Sequence, residues 1–494
     1  MSEPVGAIDL NLSSGSSSNT PSSNSDHEYH HAIDASIETR ALEIGQKIFR
    51  RSRKLAAGLF NQGFWQEKMM KLTTGDPRVK IQLFRFVDVL PVLKSEYLKR
   101  EHLIEYLSAP DGVKSWPWLL KLATSFLKSP LQSIIVKTAD RQVKSMGDLF
   151  IVGKNPEEIL PRLQKLRKQD VSFTLDILGE AVLSEAETKE YRQQYEKIID
   201  YLGESSAAWS RMKTCDYSAR GEIPKVNVSI KVSAFDPLVD PMAQDVSIAR
   251  LQERIEPLLR KAMKWGVFIN FDMEQYSLKE LTRELFKRIL MKPEFKAYPF
   301  FGVVNQAYLQ CSREDIKDWI GFAETRGCPF TIRLVKGAYW DYETIVANQN
   351  HWPCPVFEHK WESDLCFEDC AKMLLDNYPK IELAAASHNI RSLAHTIAYA
   401  EHRKLPKNSF EIQMLYGMSG AFKSALVEMG MRVREYCPMG DMLPGLSYLV
   451  RRLLENTAND SFLRQSFMDG KEIKDLLRHP SLNQKSPNKI RVID

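Results

Sequence analysis

The chain has 494 residues, 44% of them hydrophobic and 27% charged, with a formal net charge of +5. That length and apolar content suffice for one large globular domain plus additional segments. No run approaches the roughly 18 consecutive apolar residues of a membrane span, the charges are too well mixed for the basic stripe of a nucleic-acid binder, and seven irregularly spaced cysteines argue for a reducing compartment rather than a disulfide framework.

Residues 1–33 are rich in Ser, Asn and Gly and cannot bury enough apolar surface to order themselves, so a disordered tail is expected. The first Lys or Arg is Arg40 and acids precede it. The tail is therefore read as neither a signal peptide nor an Arg-rich transit peptide, and a cytoplasmic location is expected. Residues 34–155 read as an all-helical arm, with apolar residues three and four apart in 35–60, 79–95 and the Trp-rich 114–129. Arg50, Arg51, Arg53 and Lys54 form its one basic cluster, read as a solvated face.

From 156 onward short apolar runs alternate with amphipathic stretches. The runs are 171–181, 227–235, 267–275, 299–308, 329–340, 381–389, 409–417 and 431–438. Ser184 with Glu187 and Ser277 with Glu280 have the spacing of capping boxes, and Gly203, Gly266 and Gly327 are expected helix stops. Eight strands, each followed by a helix, predict an α/β fold, a variant (β/α)8 TIM-like barrel spanning 156–468. A doubly wound sheet is the alternative, but it would not usually need eight units. Residues 469–494 read as a polar C-terminal tail.

In such barrels chemistry gathers where strands end. The polar residues at those ends are Glu180, Lys231, Asp272, Glu274, Gln306, Arg333, Lys336, Tyr339, His388, Asn389, Gln413 and Tyr436. Each alone has a structural explanation as a satisfied buried hydrogen-bonder, and Lys231 with Asp272 could be an ion pair in the barrel mouth. A barrel kept only for stability would not require a polar group at every strand end. Cys366, Cys370 and His359 lack a fourth ligand at a usual spacing, so no metal is expected there. After the last strand the chain turns through Pro438, Gly440, Pro444 and Gly445 into a helical pattern. Tyr448, Arg451, Arg452 and Glu455 fall at i, i+3, i+4 and i+7 of it and share a face. Adjacent arginines can fork onto a small carboxylate. The competing reading is a solvated face with Arg451 paired to Glu455.

The motifs IRLVKGAYWD (332–341), GEA (179–181), SIKVSA (229–234), NQAY (305–308) and YLVRRLLEN (448–456) each sit on an expected strand end or on the final helix. Through them the chain, from Phe173 to Leu463, resembles the flavin-dependent proline dehydrogenases, specifically the dehydrogenase domain of the proline utilization A type. The resemblance implies noncovalently held FAD and oxidation of L-proline to Δ1-pyrroline-5-carboxylate. Carried over by position, Lys231, Asp272, Arg333 and Tyr436 would form the catalytic group. Glu180, Lys231, Tyr339, Leu415, Tyr436, Tyr448, Arg451 and Arg452 would bind the substrate, with Arg451 and Arg452 on its carboxylate. Asp272, Gln306, Arg333, Val335, Lys336, Gly337, Ala338, Trp340, Lys360, Ser363, His388, Asn389 and Leu415 would hold the cofactor.

Two positions depart from the family pattern. FDMEQ (271–275) replaces the expected DAEE while retaining Asp272, and Ser363 replaces a threonine while keeping a hydroxyl. The resemblance also implies a quinone-type electron acceptor and transient peripheral membrane contact. Because the chain shows no aldehyde dehydrogenase segment, the product is expected to pass to a separate pyrroline-5-carboxylate dehydrogenase. The alternatives are a flavin dehydrogenase of another cyclic or N-substituted amino acid, and a scaffold that has lost turnover. The scaffold would be marked by loss of Arg451, Arg452 or Lys336, and all three are present.

Overall fold

A computed structural model describes residues 34–58, 85, 89, 93, 95–108, 133, 136–137, 149–179, 182–441 and 472–483. Helix α1 (Ala35–Gly58) buries Ile37, Ala41, Ile44 and Ile48, the three-and-four spacing of one helical face. Helix α2 (Glu96–Leu107) is capped by Ser95, whose hydroxyl accepts from Leu98 N. Helix α3 (Pro156–Lys168) places Pro156 where the missing N–H costs nothing, and Asn155 caps it through Glu158 N. Of the arm's basic cluster, Arg50, Arg53 and Lys54 are exposed, as a solvated face requires.

The alternation of strands and helices then proceeds as β1 (Val171–Ile177), α4 (Glu185–Ala207), β2 (Asn227–Ile230), α5 (Gln244–Trp265), β3 (Phe268–Phe271) and α6 (Lys279–Leu290). It continues with β4 (Phe301–Gln306), α7 (Ser312–Arg326), β5 (Phe330–Val335), α8 (Trp340–Asn350) and α9 (Lys360–Asp376). The last units are β6 (Ile381–Ala386), α10 (Ile390–His402), β7 (Glu411–Leu415), α11 (Gly420–Glu428) and β8 (Val433–Met439). The eight strands are parallel and close in the order β1-β8-β7-β6-β5-β4-β3-β2, with β1 pairing both β8 and β2. The expected (β/α)8 barrel with helices before it is therefore the observed fold.

Two helix-end expectations need correction. Helix α4 runs past Gly203 to Ala207, because that glycine serves packing rather than termination: a Cβ there would come within 2.6 Å of the Trp265 ring. Ser277 lies inside a 3-10 turn, Tyr276–Leu278, and α6 has no side-chain cap; Glu280 pairs with Lys279 at 2.7 Å instead. Ser184 does cap α4 through Glu187 N at 3.2 Å, and Gly266 and Gly327 end α5 and α7 in left-handed conformation.

Barrel lumens are ordinarily filled by layers of branched apolar side chains. Here the filling is polar. Arg333 on β5 reaches Ser229 on β2 at 2.9 Å, Thr174 on β1 at 3.4 Å and Asp272 after β3 at 2.6 Å, so these side chains meet inside the lumen. The apolar core lies outside the strands, where Phe286, Trp319, Phe322 and Phe330 stack between α6, α7 and β5. At the strands' N-terminal end Arg434 pairs with Glu411 at 2.7 Å and Arg220 with Glu382 at 2.6 Å around a cavity of about 20 Å³, room for about one water. Burial raises the Glu411 carboxyl, but Arg434 and Arg432 outweigh it and bring it down to about 2.

Candidate active site

The C-terminal ends of β1, β2, β3, β5 and β8 bring five ionisable groups together. Asp272, immediately after β3, accepts from Arg333 Nη1 at 2.6 Å and Asn270 Nδ2 at 3.0 Å on one oxygen, and from the Tyr436 hydroxyl at 2.8 Å on the other. The Arg333 guanidinium lies 5.3 Å from the centre of the Tyr436 ring. Beside this group Lys231, after β2, donates to Asp176 of β1 and to the Ile177 carbonyl. Burial raises Asp176 to about 6; Lys231 opposes the rise and the charge of Asp272 adds to it. Burial, with Asp176 and Asp272 nearby, also raises the Tyr436 phenol well above its usual range, so it stays neutral and donates. The alternative of an ion pair between Lys231 and Asp272 is thus not the one formed: Lys231 pairs with Asp176, and Arg333 takes Asp272.

A second cluster sits where β5, α9 and α10 converge. The Lys336 ammonium donates to Asp364 and, at 3.1 Å, to the Ser392 hydroxyl; Lys360 donates to the other Asp364 oxygen at 2.9 Å. Asn389 donates to that oxygen at 3.3 Å and caps α10 through Arg391 N and Ser392 N. Burial lowers Lys336 to about 8 against the pull of Asp364. Asp364, raised by burial but held by both lysines, comes down to about 2. The helices starting at Lys360 and Ile390 place their first turns here, an arrangement suited to anionic phosphate.

Between the clusters, Ala307 N donates to the Val335 carbonyl at 2.8 Å and Tyr308 N to that of Lys336 at 2.7 Å, which pins the backbone entering Gly337. Gly337 has φ +137°, and a Cβ there would lie 2.4 Å from the Tyr308 ring, so glycine is required. Trp340 donates to the Phe357 carbonyl at 2.8 Å and packs on Tyr308 and Leu309. Gly337 and Ala338 are exposed, Tyr339 half-buried at the start of α8, and Ser363 buried in α9. Gln306 donates to the Glu274 carbonyl at 3.0 Å. His388 accepts from Leu415 N at 3.0 Å through Nε2, which puts its proton on Nδ1 facing Ser419 Oγ at 2.8 Å. Leu415 packs with Tyr436 and Leu178.

Gln413 does not belong to the mouth. It lies two residues before the end of β7 and donates to Glu411 at 2.6 Å, within the lower ring. Glu274 takes Ser233 N at 3.1 Å and ties the β3 turn to the β2 turn. Glu180, Tyr448, Arg451 and Arg452 lie outside the described residues. Asp176, Ser229, Asp364 and Ser392 were not anticipated. Asp176 and Ser229 follow the same period-two alternation as Lys231 and were readable from it; Asp364 and Ser392 sit inside amphipathic helices, where nothing marks them.

Cys366 and Cys370 are fully buried, with sulfurs 3.9 Å apart, and belong to the core. Among the described residues the ligating atoms of Glu38, Glu368 and His479 lie within 4.8 Å of one another, but both carboxylates are already paired with Arg391.

Residues 159–465 match the sequence profile of the family described as proline dehydrogenase, which covers more than half of the chain. The chain belongs to the proline dehydrogenase family. Residues 38–150 match the profile described as the proline utilization A N-terminal domain, which relates the chain to the proline utilization A branch. The bifunctional protein PutA of Klebsiella aerogenes is 31% identical over 341 residues, 68% of this chain and 25% of that protein. Proline dehydrogenase 1 of Bacillus subtilis is 27% identical over 321 residues, 65% of this chain and 89% of the relative. A crystal structure of proline utilization A from Bdellovibrio bacteriovorus, inactivated by N-propargylglycine, superposes with a TM-score of 0.82 at 43% identity, covering 90% of this chain and 44% of that one. The chain thus spans a quarter of the bifunctional relative and under half of the solved one.

Proposed function

We propose that the chain catalyses oxidation of L-proline to Δ1-pyrroline-5-carboxylate with FAD bound at the barrel mouth, and that electrons leave to a quinone-type acceptor. The observation that carries this reading is the Asp272 hub. One carboxylate fixes both a guanidinium and a phenol, while Arg333 Nε and Gln306 Oε1 are buried without a hydrogen-bond partner among the described residues. A donor and an acceptor left unsatisfied at a strand-end opening fit a polar heteroaromatic ring. The Lys336, Lys360, Asn389 and Ser363 cradle fits a pyrophosphate, and Gly337 gives an anion close access to backbone. Both occupied ring nitrogens of His388 assign it to shaping the β7 end rather than donating to the cofactor. When bound there, a flavin supplies the hydride acceptor for the carbon beside the proline nitrogen.

The protein's own residues do the rest. Arg333, held by three neighbours, presents a fixed positive charge, and such a charge stabilises an electron-rich ring. Asp176, titrating near neutrality and hydrogen-bonded by Lys231, can take up the proton that the amine must release. Tyr436 stays neutral and limits the room beside the substrate. Arg451 and Arg452 are proposed to clamp the carboxylate, with Glu180, Tyr339, Leu415 and Tyr448 completing the pocket.

We further propose the divisions 1–33, 34–155, 156–468 and 469–494, a cytoplasmic location with transient peripheral membrane contact, and transfer of product to a pyrroline-5-carboxylate dehydrogenase. Among the described residues no helix is long and apolar enough to cross a membrane. The test is dye reduction with L-proline, trans-4-hydroxy-L-proline, L-pipecolate and sarcosine. The reading expects L-proline to give the highest kcat/KM by at least tenfold; equal efficiency across the set would overturn it in favour of a broader amine dehydrogenase.

A further inference from the structure

The arm helix α1 and the segment 472–483 converge on one barrel side chain. Arg391, 3% exposed on α10, spends all five of its guanidinium N–H groups. It forks onto Glu38 of α1, with Nη1 and Nη2 each 2.6 Å from a carboxylate oxygen. It forks a second time onto Glu368 of α9, with Nε at 3.1 Å and Nη2 at 3.0 Å. Its last N–H donates to the Leu477 carbonyl at 3.2 Å. Leu477 in turn packs on α1 so closely that a Cβ at Gly45 would come within 2.5 Å of it.

This junction is one turn from the phosphate cradle. The backbone N–H of Arg391 is one of the two that Asn389 caps, and Asn389 donates to Asp364. Glu368 follows Asp364 by one turn of α9, and Ser392, next to Arg391, accepts from Lys336. Any rotation of the first turn of α10 relative to α9 would therefore separate Asn389 and Ser392 from Asp364 and the two lysines. The guanidinium fork is rigid and bidentate to both helices, which makes it suited to fix that relation.

We infer that Arg391 is a positioning residue that couples the N-terminal helix to the cofactor cradle, so that the arm, through Glu38, sets the affinity for FAD. The inference rests on the reading of the cradle as an FAD phosphate site. A purely structural tether would stabilise the fold without favouring any ligand. Buried bidentate pairs of this kind are strong enough for loss of one partner to be felt at the next turn.

The test titrates the full chain, stripped of flavin, with FAD, and records apparent melting temperatures in the absence of flavin. Glu38→Gln removes the arm's negative charge and one of the two acceptor oxygens of the fork while keeping its shape. Arg40→Ala removes the exposed pair with Glu401, 2.7 Å, that ties the same helix to the far end of α10. The expected result is an FAD Kd at least tenfold higher for E38Q and changed less than twofold for R40A. Arg391→Lys, which keeps the charge and gives up the fork, should behave like E38Q, and it carries the test should E38Q not fold. An FAD Kd for E38Q or R391K within twofold of the wild type would overturn the inference. So would an R40A effect as large as that of E38Q, since it would reduce the clasp to general stability. Failure of the wild type itself to bind FAD would instead overturn the cofactor reading.

Discussion

Asp272→Ala removes the hub of the mouth and leaves Arg333, 3% exposed, with Ser229 and Thr174 as its hydrogen-bond partners among the described residues. Removing one member of a buried ion pair costs about 3 to 5 kcal/mol, because the remaining charge is left uncompensated. The Tyr436 hydroxyl loses its acceptor as well, about 1 kcal/mol more; Ser229 offsets part of this, so the expected loss is about 4 kcal/mol. Asp272→Asn keeps the shape and one acceptor oxygen and should lose about 1.5 to 3 kcal/mol, the range for hydrogen bonds to a charged group. Arg333→Met alone costs less than D272A, since Tyr436 and Asn270 still donate to Asp272. In the double variant the unpaired charge disappears, so the two losses should fall short of additivity by about 1 to 3 kcal/mol. The assay is urea unfolding of the flavin-free chain followed by circular dichroism, with the midpoint and slope fitted for each variant. A D272A loss under about 0.5 kcal/mol, the usual surface value, or strictly additive losses in the double variant, would refute the claim that this pair organises the mouth.

Gly337→Ala should destabilise by about 2 to 4 kcal/mol through a disfavoured backbone conformation and overlap with Tyr308, read as a lowered unfolding midpoint; an unchanged midpoint would contradict the packing. Lys336, lowered by burial from 10.5 to about 8, holds an anion only when protonated, so FAD binding should take up a proton above about pH 8. Affinity is then flat below pH 8 and falls by up to about tenfold per unit above it, as measured by FAD titration; an increase with pH would contradict the cradle. Because its folded pKa is depressed, the stability Lys336 contributes is present above about 10.5 and lost as pH falls through about 8. Arg452→Met should raise the KM for proline by roughly 30- to 1,000-fold, about 2 to 4 kcal/mol for a desolvated clamp; an unchanged KM would remove it from the carboxylate site.

The barrel was legible because each strand carries its own apolar run and because two of the helices end at a glycine stop, Gly266 and Gly327. Strand ends were overestimated: 267–275 shrinks to Phe268–Phe271 because the polar residues after Phe271 turn into the mouth rather than extend the ladder. Position at a strand end correctly gathered Lys231, Asp272, Arg333 and Tyr436. It could not assign partners, since which acid takes which base depends on lumen register. The Lys231–Asp176 and Arg333–Asp272 pairing follows from β1 lying beside β2 and from Arg333 reaching across the barrel. Asp364 and Arg391 were invisible in sequence for a different reason. Each lies on a barrel helix among charged residues of similar spacing, and only three-dimensional closure distinguishes a buried hub from a solvated face. Gln413 shows the converse error, a polar residue near a strand end that faces the wrong layer.

The measurement that bears most directly on the central claim is anaerobic titration of the FAD-loaded full chain with L-proline, followed by its visible absorbance. The account predicts that the yellow flavin absorbance is lost on adding L-proline and is retained on adding pyrrolidine, which has the ring and lacks the carboxylate. A chain that takes up FAD but keeps its absorbance through saturating L-proline would contradict it.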